Sequence, residues 1–236
     1  MSIYVSEIFG PTIQGEGPTA GRRCAFVRLM TCNLTCNWCD TPYTWDFKGQ
    51  NGTVYDREKE ETFMTVEDIY QAIKKLNVER VVFSGGEPMM HKRELIPLFE
   101  LLAFDAIAIE IETNGTIIPD PQLFPLITQI NCSPKLENSG VLLKKRRKPE
   151  VLKALIASGT PVAFKFVSKS IECLDEVEQI QLEALIPDRN IWIMPEGRNM
   201  DELSKHMEII ANEAIARGWN ITPRTHVAIW GAKRGH

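Results

Sequence analysis

Ala25-Phe26-Val27-Arg28-Leu29-Met30 runs through Thr31 into Cys32-Asn33-Leu34-Thr35-Cys36-Asn37-Trp38-Cys39. The first six residues read as a buried strand, and the cysteines follow at its carboxyl end. Ligands of parallel α/β folds gather beyond the carboxyl ends of strands, so a site is expected at this junction. Spacers of three and then two residues let one short loop wrap three thiolates around a single inorganic cluster. Closed zinc sites and electron-carrying iron–sulfur clusters normally take four protein ligands. No fourth cysteine completes a second Cys-x2-Cys pair here. A [4Fe–4S] cluster held by three cysteines keeps one iron open, and an open coordination position is where chemistry takes place. The competing reading is a zinc staple completed by a distant His or Cys.

Outward from this junction, short apolar runs alternate with helical patterns, the βα signature of a mainly parallel sheet. Further strands are predicted at Arg80–Phe83, Ala106–Ile111, Gln129–Cys132, Val162–Val167 and Asn190–Met194, six in all. Helices are predicted from Thr65 through Leu76 and near Arg93–Ala103, Glu150–Ser158 and Met200–Arg217. Thr65 suits an N-cap, with Glu67 and Asp68 in the first turn. Asp120–Ile127 carries two prolines and is too short and broken for a full helix, so that crossover reads as a loop. Asp46–Glu61 is polar, contains Gly49 and Gly52, and reads as an exposed insertion. No internal repeat or linker divides the chain, which points to one domain over residues 1–236.

Composition narrows the classes. A chain of 236 residues with 44% hydrophobic content can bury a sizeable core. A net charge of −4 argues against non-specific polyanion binding as its main task. No run approaches the roughly 18 apolar residues of a membrane span, and the N-terminus shows no signal-peptide pattern. Clustered thiolates need a reducing compartment, so the cytoplasm is expected. Cys24, Cys132 and Cys173 are scattered and read as small buried residues. The basic run Lys144-Lys145-Arg146-Arg147-Lys148 reads as a solvated loop rather than a nucleic-acid patch.

Other motifs stand at strand ends. Ser84-Gly85-Gly86-Glu87-Pro88 follows the second strand, and its paired glycines permit close approach of backbone to a ligand. Glu112-Thr113-Asn114-Gly115, Ser133-Pro134-Lys135 and Met194-Pro195-Glu196-Gly197 end the third, fourth and sixth strands. Cys-x3-Cys-x2-Cys with aromatic Trp38 before the last cysteine resembles the signature of the radical S-adenosylmethionine (SAM) superfamily. That resemblance implies an incomplete (β/α)6 barrel of the partial TIM type. It also implies one [4Fe–4S] cluster per chain, on Cys32, Cys36 and Cys39, whose open iron chelates SAM for reductive cleavage to a 5′-deoxyadenosyl radical. SAM contacts would fall on Gly85, Gly86, Glu87, Asn114, Ser133, Pro134, Lys135, Met194, Pro195, Glu196 and Gly197.

Around the cluster, Ile13-Gln14-Gly15-Glu16-Gly17, Phe26-Val27-Arg28-Leu29 and Cys39-Asp40-Thr41 combine with Arg224-Thr225-His226, Trp230 and Arg234-Gly235-His236 near the end. This combination resembles the 7-carboxy-7-deazaguanine synthase family, which serves 7-deazapurine and queuosine biosynthesis. The implied reaction is ring contraction of 6-carboxy-5,6,7,8-tetrahydropterin, with loss of ammonia, to 7-carboxy-7-deazaguanine. The pterin would meet Ile13, Gln14, Gly15, Glu16, Arg28, Ser84 and His226. Gln14 offers donor and acceptor from one amide, Glu16 can accept from ring nitrogens, and Arg28 suits a carboxylate. Thr41 would bind Mg²⁺ together with substrate oxygen, the ion arriving with the substrate; Asp40 would stand behind it. The resemblance further implies an electron donor such as flavodoxin or ferredoxin, a homodimer, no direct nucleic-acid partner, no membrane, and a C-terminal tail that closes the site. Two alternatives are a glycyl-radical-enzyme activase, which works on a protein partner, and a non-catalytic metal-binding module.

Overall fold

Successive side chains of a strand point to opposite faces, and this alternation organises the molecule. In the computed structural model, residues 1–231 and 233–235 are described, so His236 lies outside the described residues. In chain order the elements begin with β1 (Ser2–Ile13), β2 (Arg23–Leu29), α1 (Arg57–Glu60), β3 (Thr62–Thr65), α2 (Val66–Lys75) and β4 (Arg80–Gly85). There follow α3 (Lys92–Phe104), β5 (Ala108–Thr113), β6 (Gln129–Cys132), α4 (Leu143–Arg146), α5 (Pro149–Ala157) and β7 (Val162–Ser168). The chain continues through α6 (Ile171–Ala184), β8 (Ile191–Pro195), α7 (Met200–Ala216), β9 (Asn220–Ile221) and α8 (Thr225–Trp230).

The strands form one open sheet in the order β3-β1-β2-β4-β5-β6-β7-β8-β9. Its centre, β2-β4-β5-β6-β7-β8, is wholly parallel and contains the six strands expected from sequence. This is the partial barrel. Three further strands extend it: β1 and β3 are antiparallel on one side, and β9 is parallel on the other. β1 escapes sequence reading because Gly10 and Pro11 interrupt its pattern; its register to β2 shifts between Phe9 and Thr12, where a proline is tolerated. α6 also escaped. The β5–β6 crossover is a loop with one short turn at Phe124–Leu126, as the prolines required.

Val27, Leu29, Phe83, Ile109, Ile111, Phe164, Phe166, Ile191 and Ile193 face the helices and form the main apolar core. Ile69 and Ile73 of α2, Phe99 of α3, Leu155 of α5, Val177 of α6 and Ile210 of α7 close over them. α2 starts where sequence placed it. Thr65 Oγ1 accepts from the Asp68 amide while the Asp68 carboxylate accepts from the Thr65 amide, a reciprocal cap. The alternate residues Arg28, Ser84, Glu110, Glu112, Asn131 and Lys165 form the other face. A closed TIM barrel fills that interior with branched apolar side chains; this one fills it with charge.

Candidate active site

The turn from β2 into the cysteine loop is strained. Thr31 has φ +76°, a left-handed value unusual for a β-branched residue. It is held on both sides: its N–H donates to Thr44 O at 2.9 Å, and its carbonyl accepts from Glu87 N at 2.8 Å. Gly85 and Gly86 make this possible. A Cβ on Gly86 would stand 1.8 Å from Thr31 O, and one on Gly85 2.1 Å from Leu29 O. The paired glycines therefore bring the end of β4 against the root of the cysteine loop.

Beyond that root, Cys32, Cys36 and Cys39 line one cavity of about 470 Å³, within the size range of enclosed ligand sites. Cys36 packs with Leu34 and Val141, with Cys32 and Cys39 against them. Leu34 N donates to Cys32 Sγ at 3.5 Å, and Trp45 Nε1 donates to Cys39 Sγ at 3.4 Å. Burial pushes the Cys32 thiol up to about 12 and raises Cys36 as well. Such thiols ionise when a cation takes them as ligands.

The segment 46–61 is exposed over most of its length, as expected, but its start and Tyr55 reach the site. Asp46 is buried and accepts from the amides of Gln50 and Asn51. Asn51 Nδ2 then donates to Cys36 O at 3.1 Å, and Tyr55 lines the cavity. Arg234 ties the tail to this wall: it pairs with Glu7 at 3.1 Å and Glu60 at 2.8 Å, and covers the Tyr43 ring at 3.9 Å.

At the far side lies an ion-paired network. Glu16 accepts from Lys165 at 2.7 Å and from Arg224 at 2.9 Å. Lys165 reaches Glu112 at 3.1 Å; Gln14 donates to Glu112 at 3.0 Å and to Glu110 at 2.6 Å. Glu110 also accepts from Asn131 and from Arg80. Burial alone would raise Glu16, but Lys165, then Arg224 and His226, outweigh it and hold the carboxyl far below the usual range. Arg224 continues to Gly197 O and to Asp40 beside the last cysteine. One guanidinium thus joins the N-terminal loop, the β8 exit and the cysteine loop. Sequence reasoning did not assign Lys165, Glu110 or Glu112. Lysine and glutamate on strands read as solvent-facing, and only the face of the sheet that borders the cavity turns them inward.

The structure sorts the other sequence-based candidates. Ile13, Gln14, Gly15, Glu16, Arg28, Thr41, Ser84, Gly85, Gly86, Asn114, Ser133, Lys135, Met194 and His226 line the cavity. Glu87, Pro134, Pro195, Glu196 and Gly197 do not. Glu87 is fully buried and bonds Met89 N, Thr113 Oγ1 and Asn114 N, tying β4 to β5. Glu196 accepts from Asn138 and pairs with Lys169. Asn114 turns its amide to Asn33 in the cysteine loop at 2.9 Å. Gln14 is buried and its amide nitrogen is committed to glutamates, while Arg28 Nε pairs with Glu7 at 2.7 Å. Asp40 is taken up by Arg224 and Arg198, not by Thr41, whose hydroxyl donates to Gly85 O. In the basic run, Arg146 and Arg147 pair with Glu176 and Glu183; only Lys144 and Lys145 are the solvated residues expected there.

Residues 28–177 match the radical SAM superfamily. The chain is 34% identical to 7-carboxy-7-deazaguanine synthase of Pyrobaculum aerophilum, over 99% of this chain and 97% of that one. It is 30% identical to the Bacillus subtilis enzyme of the same name, over 99% and 98%. The chain belongs to the 7-carboxy-7-deazaguanine synthase family. The crystal structure of QueE from Escherichia coli superposes with a TM-score of 0.68 at 26% identity, covering 95% of each chain. SuiB from Streptococcus suis bound to S-adenosylmethionine shares the fold, with a TM-score of 0.53 at 15% identity over 82% of this chain and 48% of that one. As a member of the radical SAM superfamily the chain is a SAM-dependent iron–sulfur enzyme, a lyase.

The cavity fits those cofactors. Three soft thiol donors face it without a fourth cysteine beside them. Trp38, beside Cys39, lines the same cavity. Lys135, over the Trp38 ring at 5.2 Å, adds a positive charge to the same wall.

Proposed function

We propose that this cavity carries out the family's reaction as a division of labour between its two ends. The activity is conversion of 6-carboxy-5,6,7,8-tetrahydropterin to 7-carboxy-7-deazaguanine with release of ammonia. Cys32, Cys36 and Cys39 hold the [4Fe–4S] cluster. Gly85, Gly86, Asn114, Ser133, Lys135 and Met194 surround SAM. When bound, cluster and SAM supply the hydrogen-abstracting radical; the chain's residues supply position and charge.

The pterin lies between that end and the ion-paired network. Arg28 spends Nε on Glu7 and turns its remaining edge toward Ser84, so its outer nitrogens are the donors for the substrate carboxylate. Glu16 has spent one lone pair per oxygen on Lys165 and Arg224 and retains acceptor capacity for ring N–H groups. Gly15 lets His226 close over the loop: a Cβ there would stand 1.9 Å from His226 Nδ1. Burial lowers the His226 pKa, with Glu16 pulling the other way, so the imidazole is a neutral hydrogen-bonding contact. Thr41 offers a hydroxyl oxygen to Mg²⁺, which the substrate brings with its own oxygens and water.

The whole chain works as one domain, with the start of 46–61, Tyr55 and the C-terminal segment as walls. The cytoplasm, an electron carrier of the flavodoxin or ferredoxin type and a homodimer complete the proposal. Among the described residues, no helix is long and apolar enough to cross a membrane. The pairing of Arg146 and Arg147 supports the absence of a nucleic-acid partner.

The observation that carries this reading is the meeting of three cysteines, the Gly-Gly turn and the Gln14–Glu16 loop around one cavity. Anaerobically reconstituted protein given SAM, reductant, Mg²⁺ and the carboxytetrahydropterin is expected to form 7-carboxy-7-deazaguanine, and Cys36→Ala to form none. Uncoupled 5′-deoxyadenosine without product would favour an activase, and absence of SAM cleavage a non-catalytic module.

A further inference from the structure

The short turn after the cysteines is tied more heavily than a connection needs. Thr44 N and Thr44 Oγ1 both donate to Thr41 O, Trp45 N and Asp46 N to Pro42 O, and Thr31 N to Thr44 O. Asp46 then fixes the following residues by accepting from Gln50 N and Asn51 N. What this scaffold holds in place is the Trp45 indole, half-buried in the cavity wall, with Nε1 3.4 Å from Cys39 Sγ. Cys32 receives only a backbone amide, from Leu34. Thr41 Oγ1 is 3.8 Å from Cys39 Sγ, but its single proton is directed to Gly85 O at 3.2 Å. Among the described residues, Cys39 is the cluster cysteine whose sulfur receives a side-chain N–H.

We propose that Trp45 is a positioning residue that sets the reduction potential of the cluster through its N–H to the Cys39 sulfur, and that the Asp46-anchored start of the 46–61 segment exists to hold it there. Reduction adds negative charge that is shared with the coordinating sulfurs. A donor aimed at one of them therefore stabilises the reduced state more than the oxidised state and raises the potential.

The proposal rests on Cys32, Cys36 and Cys39 being cluster ligands. The test is an EPR-monitored redox titration of the reconstituted full chain without SAM, using dithionite and mediators. Wild type is compared with Trp45→Phe and with a chain carrying benzothienylalanine at position 45, which keeps the indole shape but replaces N–H with sulfur. Iron and sulfide content is measured for each. Both altered chains are expected to hold a full cluster with a more negative midpoint. The expected size is a roughly tenfold lower ratio of reduced to oxidised cluster at fixed solution potential, about 59 mV for one electron. Unshifted midpoints with full clusters overturn the proposal and leave the cluster assignment intact. If Trp45→Phe loads no cluster, the isostere decides alone. Failure of the isostere to load also overturns the proposal, since Trp45 would then serve assembly. A wild-type chain that loads no cluster is a different failure, that of the ligand assignment.

Discussion

Val27 and Arg28 are neighbours in β2, yet one is sealed among apolar side chains and the other pairs with Glu7 at the cavity wall. The same split recurs at Phe83 and Ser84, at Ile111 and Glu112, and at Phe164 and Lys165. The outward face gains from burial and packing, terms that need no exact partner. The inward face is different: each buried charge is tolerable only while its partners stay in place, because desolvation is offset by specific ion pairs. One face supplies stability, and the other carries chemistry that the first must hold rigid.

That contrast can be broken at graded strength. Phe83→Ala removes a fully buried ring that packs at a tilt against Phe99, 4.7 Å between centroids, and is expected to lower unfolding stability by about 4 kcal/mol. Chemical denaturation measures it; a loss under about 1 kcal/mol would mean the outward face is not the stabilising one. Lys165→Met leaves Glu16 and Glu112 facing each other with one cation fewer. It is expected to cost about 3 kcal/mol and to lower kcat/KM about 100-fold through misplacement. A fully active variant of unchanged stability would show that the inner network is ornamental.

Glu16→Gln sharpens the comparison through pH. The native Glu16 pKa is depressed, so its contribution is complete above the unfolded value of about 4.3 and is lost as pH falls through the native value. Melting curves of wild type are therefore expected to fall more steeply than those of Glu16→Gln below about pH 5, with the two converging in acid. Parallel curves would remove the network from acid stability. Arg234→Ala has the smallest expected effect. Its pairs to Glu7 and Glu60 are part-exposed, so stability should change by less than about 1 kcal/mol. A raised KM with little change in kcat would show that the tail helps enclose substrate.

Much of this was legible beforehand. The six central strands, the Thr65 cap and the proline-broken crossover follow from local pattern, because apolar periodicity, capping chemistry and proline sterics act over a few residues. The cysteine loop was legible too, since ligand spacing within one loop is a local property. β1 was hidden by Gly10 and Pro11, whereas α6 went unassigned although Leu174, Val177, Ile180 and Ala184 carry a helical apolar spacing. Among the candidate site residues, Gln14, Glu16 and Arg28 were singled out from sequence and line the cavity, but their partners were not foreseen. Glu87 was expected at the ligand and is instead a buried tie between β4 and β5.

The amino-acid sequence by itself determined that three cysteines share one loop at a strand end, that a parallel α/β sheet presents them, and that glycines follow the next strand. Tertiary structure alone decided which charges meet: Lys165 with Glu16 across 149 residues, Arg224 with Glu16 across 208, and Trp45 with the sulfur of Cys39. The reason is range. Strand pattern and ligand spacing are properties of neighbouring residues, whereas a buried ion pair needs two distant segments brought together by a core that neither of them forms.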